Sequence, residues 1–180
     1  MSDMESQPII RIWTDGSCLV NPGGPGGWAY LIQGADGRTR SAAGSETSTT
    51  NNRMELLAAI CALEAVAAGS MVEVTSDSEY VVQGASKWVL KWYVSGLWTP
   101  SGLKKKNRDL WERLIAARDR LSSVHWRWVR GHSGDPNNET VDRLAGEAAA
   151  LVTVSPEMAT RIEDAKSLMR WVLANRSPSV

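Results

Sequence analysis

The chain has 180 residues with 20 basic and 20 acidic side chains, so its formal net charge is +0. This length suits one domain with a tail, and a content of 43% hydrophobic residues can form a core without disulfides. The balanced charge excludes a nonspecific polycation, and any nucleic-acid site must therefore be a local patch.

The N-terminal stretch, residues 1–8, is polar and acidic and lacks the basic start and apolar core of a secretory signal. We expect it to be disordered. Cys18 and Cys61 show neither zinc-site spacing nor a secreted disulfide pattern, which fits a reducing compartment. The longest apolar run, Leu56 to Leu63, is far shorter than the roughly 20 residues needed to cross a bilayer. These features predict a cytoplasmic protein without a membrane segment.

The first predicted elements are strands. Ile9 to Thr14 is apolar and β-branched and stops at Asp15-Gly16, which is typical of a strand that ends in a turn. After a loop rich in glycine and proline, Trp28 to Ile32 resumes a strand, and Arg38 to Ala43 follows the hairpin signal Asp36-Gly37. The three strands predict an antiparallel meander.

The rest of the domain alternates helices with strands. Asn52 to Ala68 has apolar residues on nearly every face, which predicts a buried helix that ends at Gly69. Val72 to Thr75 is a buried strand, and the intervening helix implies that it pairs parallel to the first strand. The later elements are helices over 79–95 and 107–120, a strand over Val124–Val129 and a helix over Val141–Val152. The order βββαβααβα predicts an α/β domain over residues 9–154, with one five-stranded mixed sheet.

Residues 155–180 form a separate predicted element, an appended amphipathic helix. Ser155-Pro156 is typical of an N-cap followed by proline, and apolar residues recur from Met158 to Val172 at near-helical spacing. Such a tail could pack against its own domain or bind a partner protein.

Two aspartates stand where the predicted parallel strands end. Asp15 follows the first strand and Asp77 follows the fourth. Each has a structural alternative, because an Asp-Gly pair is typical of a tight turn and Ser76-Asp77-Ser78 offers caps for the next helix. Since the two strands are expected to be neighbours, both carboxylates should emerge at one edge of the sheet, where ligands bind in open α/β folds.

Two further carboxylates lie on predicted helices. Glu55 could complete a capping box that begins at Asn52. However, the residues three, four and seven positions after Glu55 and after Asp142 are all alanine or glycine. Because a solvated helix face normally carries larger polar residues, we expect both carboxylates to approach the sheet beside Asp15 and Asp77.

Converging carboxylates imply a particular chemistry. They repel one another unless cations neutralise them or some of them take up protons. Oxygen ligands without a thiolate or imidazole pair favour magnesium or manganese over zinc. Two such ions about 4 Å apart can activate an attacking water and stabilise a leaving oxygen. The sequence therefore suggests phosphodiester hydrolysis.

Several local strings, in their order along the chain, closely resemble the bacterial type 1 ribonuclease H family. They are Thr14-Asp15-Gly16-Ser17-Cys18, Asn21-Pro22-Gly23, Thr50-Asn51-Asn52-Arg53-Met54-Glu55, Ser76-Asp77-Ser78, the run from Trp126 to Gly134, Asn138-Glu139 and Asp142-Arg143-Leu144-Ala145. The resemblance covers about Ile9 to Leu151. It implies an endonuclease that hydrolyses the RNA strand of RNA-DNA hybrids, leaving 5′-phosphate and 3′-hydroxyl ends, with two Mg²⁺ ions that Mn²⁺ could replace.

The resemblance also implies roles for the site residues. Asp15, Glu55, Asp77 and Asp142 would be the catalytic, metal-binding carboxylates. His132 matches the family's catalytic histidine, which assists proton transfer or product release, a task for which the histidine side chain is well suited. Without the neighbouring motif, His132 would be an ordinary exposed loop histidine.

Further positions match the family's substrate contacts. Cys18, Asn21, Asn51 and Asn52 match minor-groove contacts, through which a protein can recognise the RNA 2′-hydroxyl. Thr50 matches part of a pocket for a DNA phosphate. The asparagines could also form turns or cap a helix, and we expect them to serve both purposes.

A basic and aromatic segment resembles the family's basic protrusion, which grips the DNA strand by charge and stacking. Its residues in this sequence are Lys87, Trp88, Lys91, Trp92, Lys104, Lys105 and Lys106. The tryptophans could equally form a small local core.

The chain departs from the family pattern in a few places. Glu79 stands where a glutamine is frequent, and Lys91 stands where an asparagine commonly helps to hold the DNA phosphate. The loop around Asn21 is slightly longer than usual. Two alternatives stay open: a non-catalytic module that binds hybrid or double-stranded nucleic acid, and another nuclease on the same fold. We expect the protein to be a monomer.

Overall fold

The computed structural model describes residues 8–95 and 106–152, apart from the side chains of Leu90 and Tyr93. Several expectations fall outside the described residues: disorder over 1–7, the roles of Lys104 and Lys105, and the tail helix over 155–180. They stay predictions. Within the described residues, no helix is both long enough and apolar enough to cross a membrane.

One five-stranded sheet organises the domain, with the spatial order β3-β2-β1-β4-β5. The strands are β1 (Ile9–Cys18), β2 (Gly26–Gln33), β3 (Thr39–Glu46), β4 (Met71–Ser76) and β5 (Ser123–Trp128). β1, β2 and β3 form the predicted antiparallel meander, and β4 pairs in parallel with both β1 and β5. The predicted mixed sheet is therefore confirmed.

Helices cover the sheet in the predicted order. They are α1 (Asn51–Glu64), α2 (Glu79–Gln83), α3 (Val89–Val94), α4 (Arg108–Asp119) and α5 (Pro136–Val152), with a π-helical turn (Gly84–Trp88) joining α2 to α3. Glycine at position 84 is required by packing, because a Cβ there would lie 2.1 Å from Cη2 of Trp111.

The core lies on both faces of the sheet. Ile12 packs with Leu63 of α1 on one face, and Trp13, the next residue of β1, packs with Val141 of α5 on the other. This alternation follows from the two-residue period of a strand. Burying a side chain such as Ile12 contributes roughly 1.5–3 kcal/mol. α1 and α5 are thus held on opposite faces of the central strand.

The predicted turn at Asp15-Gly16 is wrong, because β1 continues through it to Cys18. Asp15 pairs with Ala29 of β2, and Cys18 pairs with Gly26. The parallel pairing with β4 does stop here, since its last pair is Thr14 with Ser76. Asp15 and Asp77 therefore each follow the last parallel pair, at the sheet edge that the sequence predicted.

Two helix boundaries also differ from the prediction. α1 ends at Glu64 rather than near Ala68, and the chain then turns towards Gly69, whose φ of 78° requires a glycine-like conformation. α5 begins at Pro136, well before Val141. Asp135 caps it, because its Oδ1 accepts hydrogen bonds from the backbone N–H groups of residues 137 and 138 at 3.0 and 3.2 Å.

Candidate functional site

Three of the four predicted carboxylates meet at the end of the parallel strands. Asp15, Glu55 and Asp77 each offer an oxygen, and these oxygens lie within 4.8 Å of one another. They come from β1, from α1 and from the residue after β4. Asp15 and Glu55 are buried, and Asp77 is half-buried. The fold thus gathers residues that are distant in sequence into one acidic cluster, defined here as these three residues.

Glu55 reaches the acidic cluster because α1 lies directly on β1 at Gly16. A Cβ on Gly16 would lie 2.1 Å from the backbone nitrogen of Glu55. The helix is capped by Thr50, whose side chain accepts a hydrogen bond from the backbone N–H of Arg53. The Glu55 carboxylate instead receives a 3.5 Å contact from Nδ2 of Asn51. The capping-box alternative is therefore not what the structure shows.

Gly16→Ala should destabilise the protein by about 3 kcal/mol or more, because the added methyl group meets helix backbone that cannot turn aside. Gly146→Ala in α5 is the matched control, since a Cβ there has no heavy atom of the described residues within 4 Å. That change should raise the free energy of unfolding by about 0.5–1 kcal/mol, because alanine suits a helix better than glycine. Urea unfolding of both variants measures the difference. Equal effects would contradict the close approach of α1 to β1.

Asp77 is held by contacts of its own rather than serving as a helix cap. The cap of α2 is Ser78, whose Oγ accepts from the backbone N–H of Val81 at 3.3 Å. The Asp77 carbonyl accepts a 2.9 Å hydrogen bond from Nε1 of Trp128, and its Oδ2 accepts a 3.4 Å hydrogen bond from Nδ2 of Asn138. The Asp77 carboxylate is therefore available to the acidic cluster.

The acidic cluster strongly perturbs its own members. Burial, followed by the nearby charge of Asp77, raises the pKa of Asp15 to about 8, against a hydrogen bond from the Gly16 N–H that lowers it. Burial, followed by the charges of Asp15 and Asp77, raises the pKa of Glu55 well above its ordinary value. In the metal-free protein, protons must therefore neutralise part of this charge.

The donor set fits a divalent cation. Glu55 Oε2 is buried and has no hydrogen-bond partner among the residues described. When the Glu55 carboxyl group is protonated, it can form a hydrogen bond with Asp15. The ligand atoms are carboxylate oxygens, which suit hard cations such as Mg²⁺. A bound cation would replace the shared protons and supply the missing partner.

The fourth carboxylate lies at the solvent-exposed edge of the acidic cluster. Asp142 is 44% exposed in its side chain, and it contacts Asp15 closely enough to raise the pKa of that residue. His132 lies further out: its Nδ1 is 3.6 Å from Asp142 Oδ2, and its side chain is 81% exposed. The structure thus places His132 beside the acidic cluster through Asp142. The backbone of His132 adopts a left-handed φ of 52°.

The small residues that follow Glu55 and Asp142 were expected to bring α1 and α5 close to the sheet. This prediction is correct for α1 and only partly correct for α5. Ala145 and Ala149 are fully buried, whereas Gly146 is only half-buried and a Cβ there would meet open space. Close approach of α5 depends instead on Gly27 in β2, where a Cβ would lie 2.1 Å from the Ala145 carbonyl oxygen.

The predicted minor-groove residues lie on two segments that are joined by hydrogen bonds. The backbone N–H of Gly23 donates to the Thr49 carbonyl at 2.7 Å, and the N–H of Asn51 donates to Asn21 Oδ1 at 3.2 Å. Cys18, at the end of β1, donates its thiol to the Val20 carbonyl at 3.2 Å. These two segments, residues 18–23 and 49–52, together form one continuous rim beside the acidic cluster.

A pocket of about 310 Å³ adjoins this rim. Its lining residues are Asn21, Pro22, Thr50, Asn52, Lys106 and Asn107. The amide and hydroxyl groups and the Lys106 ammonium suit an anion such as a phosphate. A larger cavity of about 590 Å³ opens beside Ile9 and Met71, at the other end of β1.

The tryptophans of the predicted protrusion do form a local aromatic core. Trp92 and Trp111 have ring centroids 6.1 Å apart, and Tyr80 lies 5.4 Å from Trp111. Trp88 packs 6.2 Å from Trp92 and is more exposed, as are Lys87 and Lys91. Among the described residues of this group, only the outer ones are therefore available to contact another molecule.

Two residues near the acidic cluster were not identified from the sequence. Asn138 and Trp128 both belong to strings that match the family, but neither received a role there. In the structure Trp128 is 47% exposed and hydrogen-bonded to Asp77. The cap at Asp135 was the available signal, because it places Asn138 on the first turn of α5.

Comparison with known proteins gives consistent matches. The family model described as RNase H matches residues 7–150. A protein of Xanthomonas campestris named ribonuclease H is 52% identical over 140 residues, covering 78% of this chain and 91% of that protein. A protein of Xylella fastidiosa named ribonuclease HI is 49% identical over 143 residues, covering 79% and 93%. The crystal structure of LC9-RNase H1, described as a type 1 RNase H with the type 2 active-site motif, superposes with a TM-score of 0.72 at 36% identity, covering 84% of this chain and 76% of that one.

Proposed function

The chain belongs to the ribonuclease H family, and we propose that the acidic cluster is where it hydrolyses the RNA strand of RNA-DNA hybrids. The observation that carries this assignment is the convergence of Asp15, Glu55 and Asp77 within 4.8 Å. The expected products carry 5′-phosphate and 3′-hydroxyl ends.

We propose that the acidic cluster holds divalent cations, with Asp142 contributing a ligand from the solvent-exposed edge of the cluster. Mg²⁺ is the favoured ion because the donors are carboxylate oxygens, and Mn²⁺ is an expected substitute. When bound, two such ions would activate the attacking water and stabilise the leaving oxygen. Burial of Asp15 and Glu55 excludes bulk water from one side of the acidic cluster, which strengthens its attraction for cations.

His132 is the proposed proton-transfer residue. Its ring is exposed to solvent, and its Nδ1 lies 3.6 Å from Asp142 Oδ2. The flanking Gly131 and Gly134 lie in the loop before α5, where Gly134 has a φ of 90°. His132 would therefore assist proton transfer at the exposed edge of the acidic cluster, while the carboxylates bind the ions.

The rim and the pocket are the proposed substrate contacts. Cys18 and Asn51, with Asn21 and Asn52, would contact the minor groove, where the RNA 2′-hydroxyl distinguishes a hybrid from DNA. The pocket around Thr50 would hold a DNA phosphate. The exposed basic and aromatic groups of the protrusion would grip the DNA strand; they are Lys87, Trp88, Lys91 and Lys106, with Trp92 supporting them from the aromatic core.

Lys91 and Glu79 modify this grip. Lys91 is exposed and adds positive charge where the family commonly has an asparagine, which should strengthen attraction to the DNA strand. Glu79 begins α2, immediately after the cap Ser78 and close in sequence to Asp77. Its negative charge should weaken any direct contact with the RNA backbone.

The cellular setting is also a proposal. We infer a cytoplasmic location, which suits the two free thiols Cys18 and Cys61, and we separately propose that the protein is a monomer. A protein partner for residues 155–180 is a further proposal, and it is compatible with catalysis.

The decisive experiment uses three labelled duplexes of one sequence: RNA-DNA hybrid, RNA duplex and DNA duplex. With Mg²⁺ the protein should cut only the RNA of the hybrid, and chelation with EDTA should stop the reaction. Gel analysis should show 5′-phosphate ends on the products. Binding of the hybrid without cleavage, at any Mg²⁺ or Mn²⁺ concentration, would favour the non-catalytic binding module instead.

A further inference from the structure

Asn138 is a buried polar side chain to which the proposed reaction assigns no role. It lies on the first turn of α5 and is only 2% exposed. Its Nδ2 donates to Asp77 Oδ2 at 3.4 Å, while its Oδ1 is buried and lacks a hydrogen-bond partner within residues 8–95 and 106–152. An unpaired buried acceptor destabilises a fold, so packing alone gives no reason for an asparagine here.

The orientation of this amide follows from its neighbour. An asparagine side chain has one acceptor oxygen and one NH₂ group, and only the NH₂ group can face an ionised carboxylate favourably. The Asp77 carboxylate therefore fixes which way the Asn138 amide points. The oxygen is then left at a place where no described residue of the metal-free protein supplies a donor.

Asp77 is held on more than one side. Trp128 Nε1 binds its backbone carbonyl, and a Cβ on Gly131 would lie 2.7 Å from its Oδ2, so the loop before α5 packs against the carboxylate. Asn138 adds the hydrogen bond to the carboxylate oxygen itself. Among these contacts it is the one hydrogen bond that a side chain makes to the Asp77 carboxylate.

We propose that Asn138 is a positioning residue for the metal site: its Nδ2 orients the Asp77 carboxylate, and its Oδ1 accepts a hydrogen bond from a water molecule that enters with a divalent cation. This inference rests on the proposed function, because it concerns the same acidic cluster. Asn138 acts through Asp77 and the water, so it is not a catalytic residue. Partners of this kind typically change metal affinity about 10- to 100-fold when they are replaced.

The test measures metal binding without substrate. Asn138→Leu keeps the branched skeleton and the number of side-chain heavy atoms, and it removes both the donor and the orphaned acceptor. The metal-free variant should unfold at nearly the same temperature as wild type, because removal of the unpaired buried oxygen offsets the loss of the hydrogen bond to Asp77. Thermal unfolding across a Mg²⁺ titration should then show half-maximal stabilisation at about tenfold higher Mg²⁺ than wild type.

Asn137→Leu is the matched control, since it makes the same change one residue earlier, at a position whose side chain is half-buried and turned away from Asn138 by the helix. It should keep the wild-type Mg²⁺ dependence. Asn138→Ala provides a second variant should leucine not fit, and it should show the same weakened Mg²⁺ binding as Asn138→Leu.

The outcomes separate this inference from the proposed function. Wild-type Mg²⁺ dependence in both Asn138 variants would overturn the positioning role, and so would a loss of metal-free stability with unchanged Mg²⁺ binding, which would make Asn138 purely structural. Failure of the wild-type protein to cut a hybrid would instead overturn the proposed function. Weakened Mg²⁺ binding in both variants, with the control unchanged, would support the inference.

Discussion

Asp77→Asn should reduce the rate of hybrid cleavage by about a thousandfold while leaving hybrid binding nearly unchanged. The substitution keeps the size of the side chain but removes a charge that the acidic cluster needs to hold its ions. Metal ions supply several kcal/mol of transition-state stabilisation, and a loss of about 4 kcal/mol corresponds to a thousandfold in rate. Asp15→Asn should have the same effect, because Asp15 lies within the same 4.8 Å group.

Single-turnover cleavage of a labelled hybrid measures the rate, and a filter-binding assay measures affinity for the same duplex. Asp119→Asn is a suitable control, because this exposed aspartate at the end of α4 pairs with Arg118 away from the acidic cluster. Its cleavage rate should stay within about twofold of wild type, since surface pairs contribute little. Wild-type turnover by Asp77→Asn would remove Asp77 from the site.

The metal-free protein should lose stability as the pH rises from about 4 to about 8. The unfolded chain releases the Asp15 proton near its ordinary pKa of 3.8, whereas the folded protein holds that proton until about pH 8. Across this window the folded state binds more protons than the unfolded state, so the free energy of unfolding falls with rising pH. The raised pKa of Glu55 acts in the same direction.

Saturating Mg²⁺ should flatten this dependence. A cation that replaces the protons is itself bound more tightly as pH rises, so it offsets the charge repulsion that develops. Thermal unfolding from pH 5 to pH 8.5, with EDTA or with Mg²⁺, tests both parts. Asp15→Asn should weaken the slope in EDTA, because the residue no longer titrates. A metal-free melting temperature independent of pH would contradict the burial of these carboxyl groups.

Much of the fold could be predicted from local patterns. The apolar runs and glycine breaks identified each strand, and the crossover helix implied that β1 and β4 are parallel neighbours. That adjacency was enough to predict the meeting of Asp15 and Asp77, because parallel strands end at the same edge. The buried alanine stripe after Glu55 correctly predicted the approach of α1 to the sheet.

Other features could not be predicted because they depend on contacts across the sheet. The turn at Asp15-Gly16 was a reasonable local interpretation, but pairing with β2 keeps the strand extended. Gly146 was expected to face the sheet, whereas Gly27 of β2 provides the space for α5. The unpaired oxygen of Asn138 is likewise invisible in a sequence, since it results from the packing of α5 against Asp77.

The edge strand β3 has a consequence for how the molecule behaves when many copies are present. Between Thr39 and Glu46 it carries no apolar side chain larger than alanine, and most of it is exposed. A second sheet that paired with this edge would gain backbone hydrogen bonds but would bury little apolar surface. The pairing would also desolvate the exposed Arg40 side chain. Self-association through β3 is therefore only weakly favourable. The enzyme should not associate through this strand at high concentration, and its acidic cluster should stay accessible to substrate.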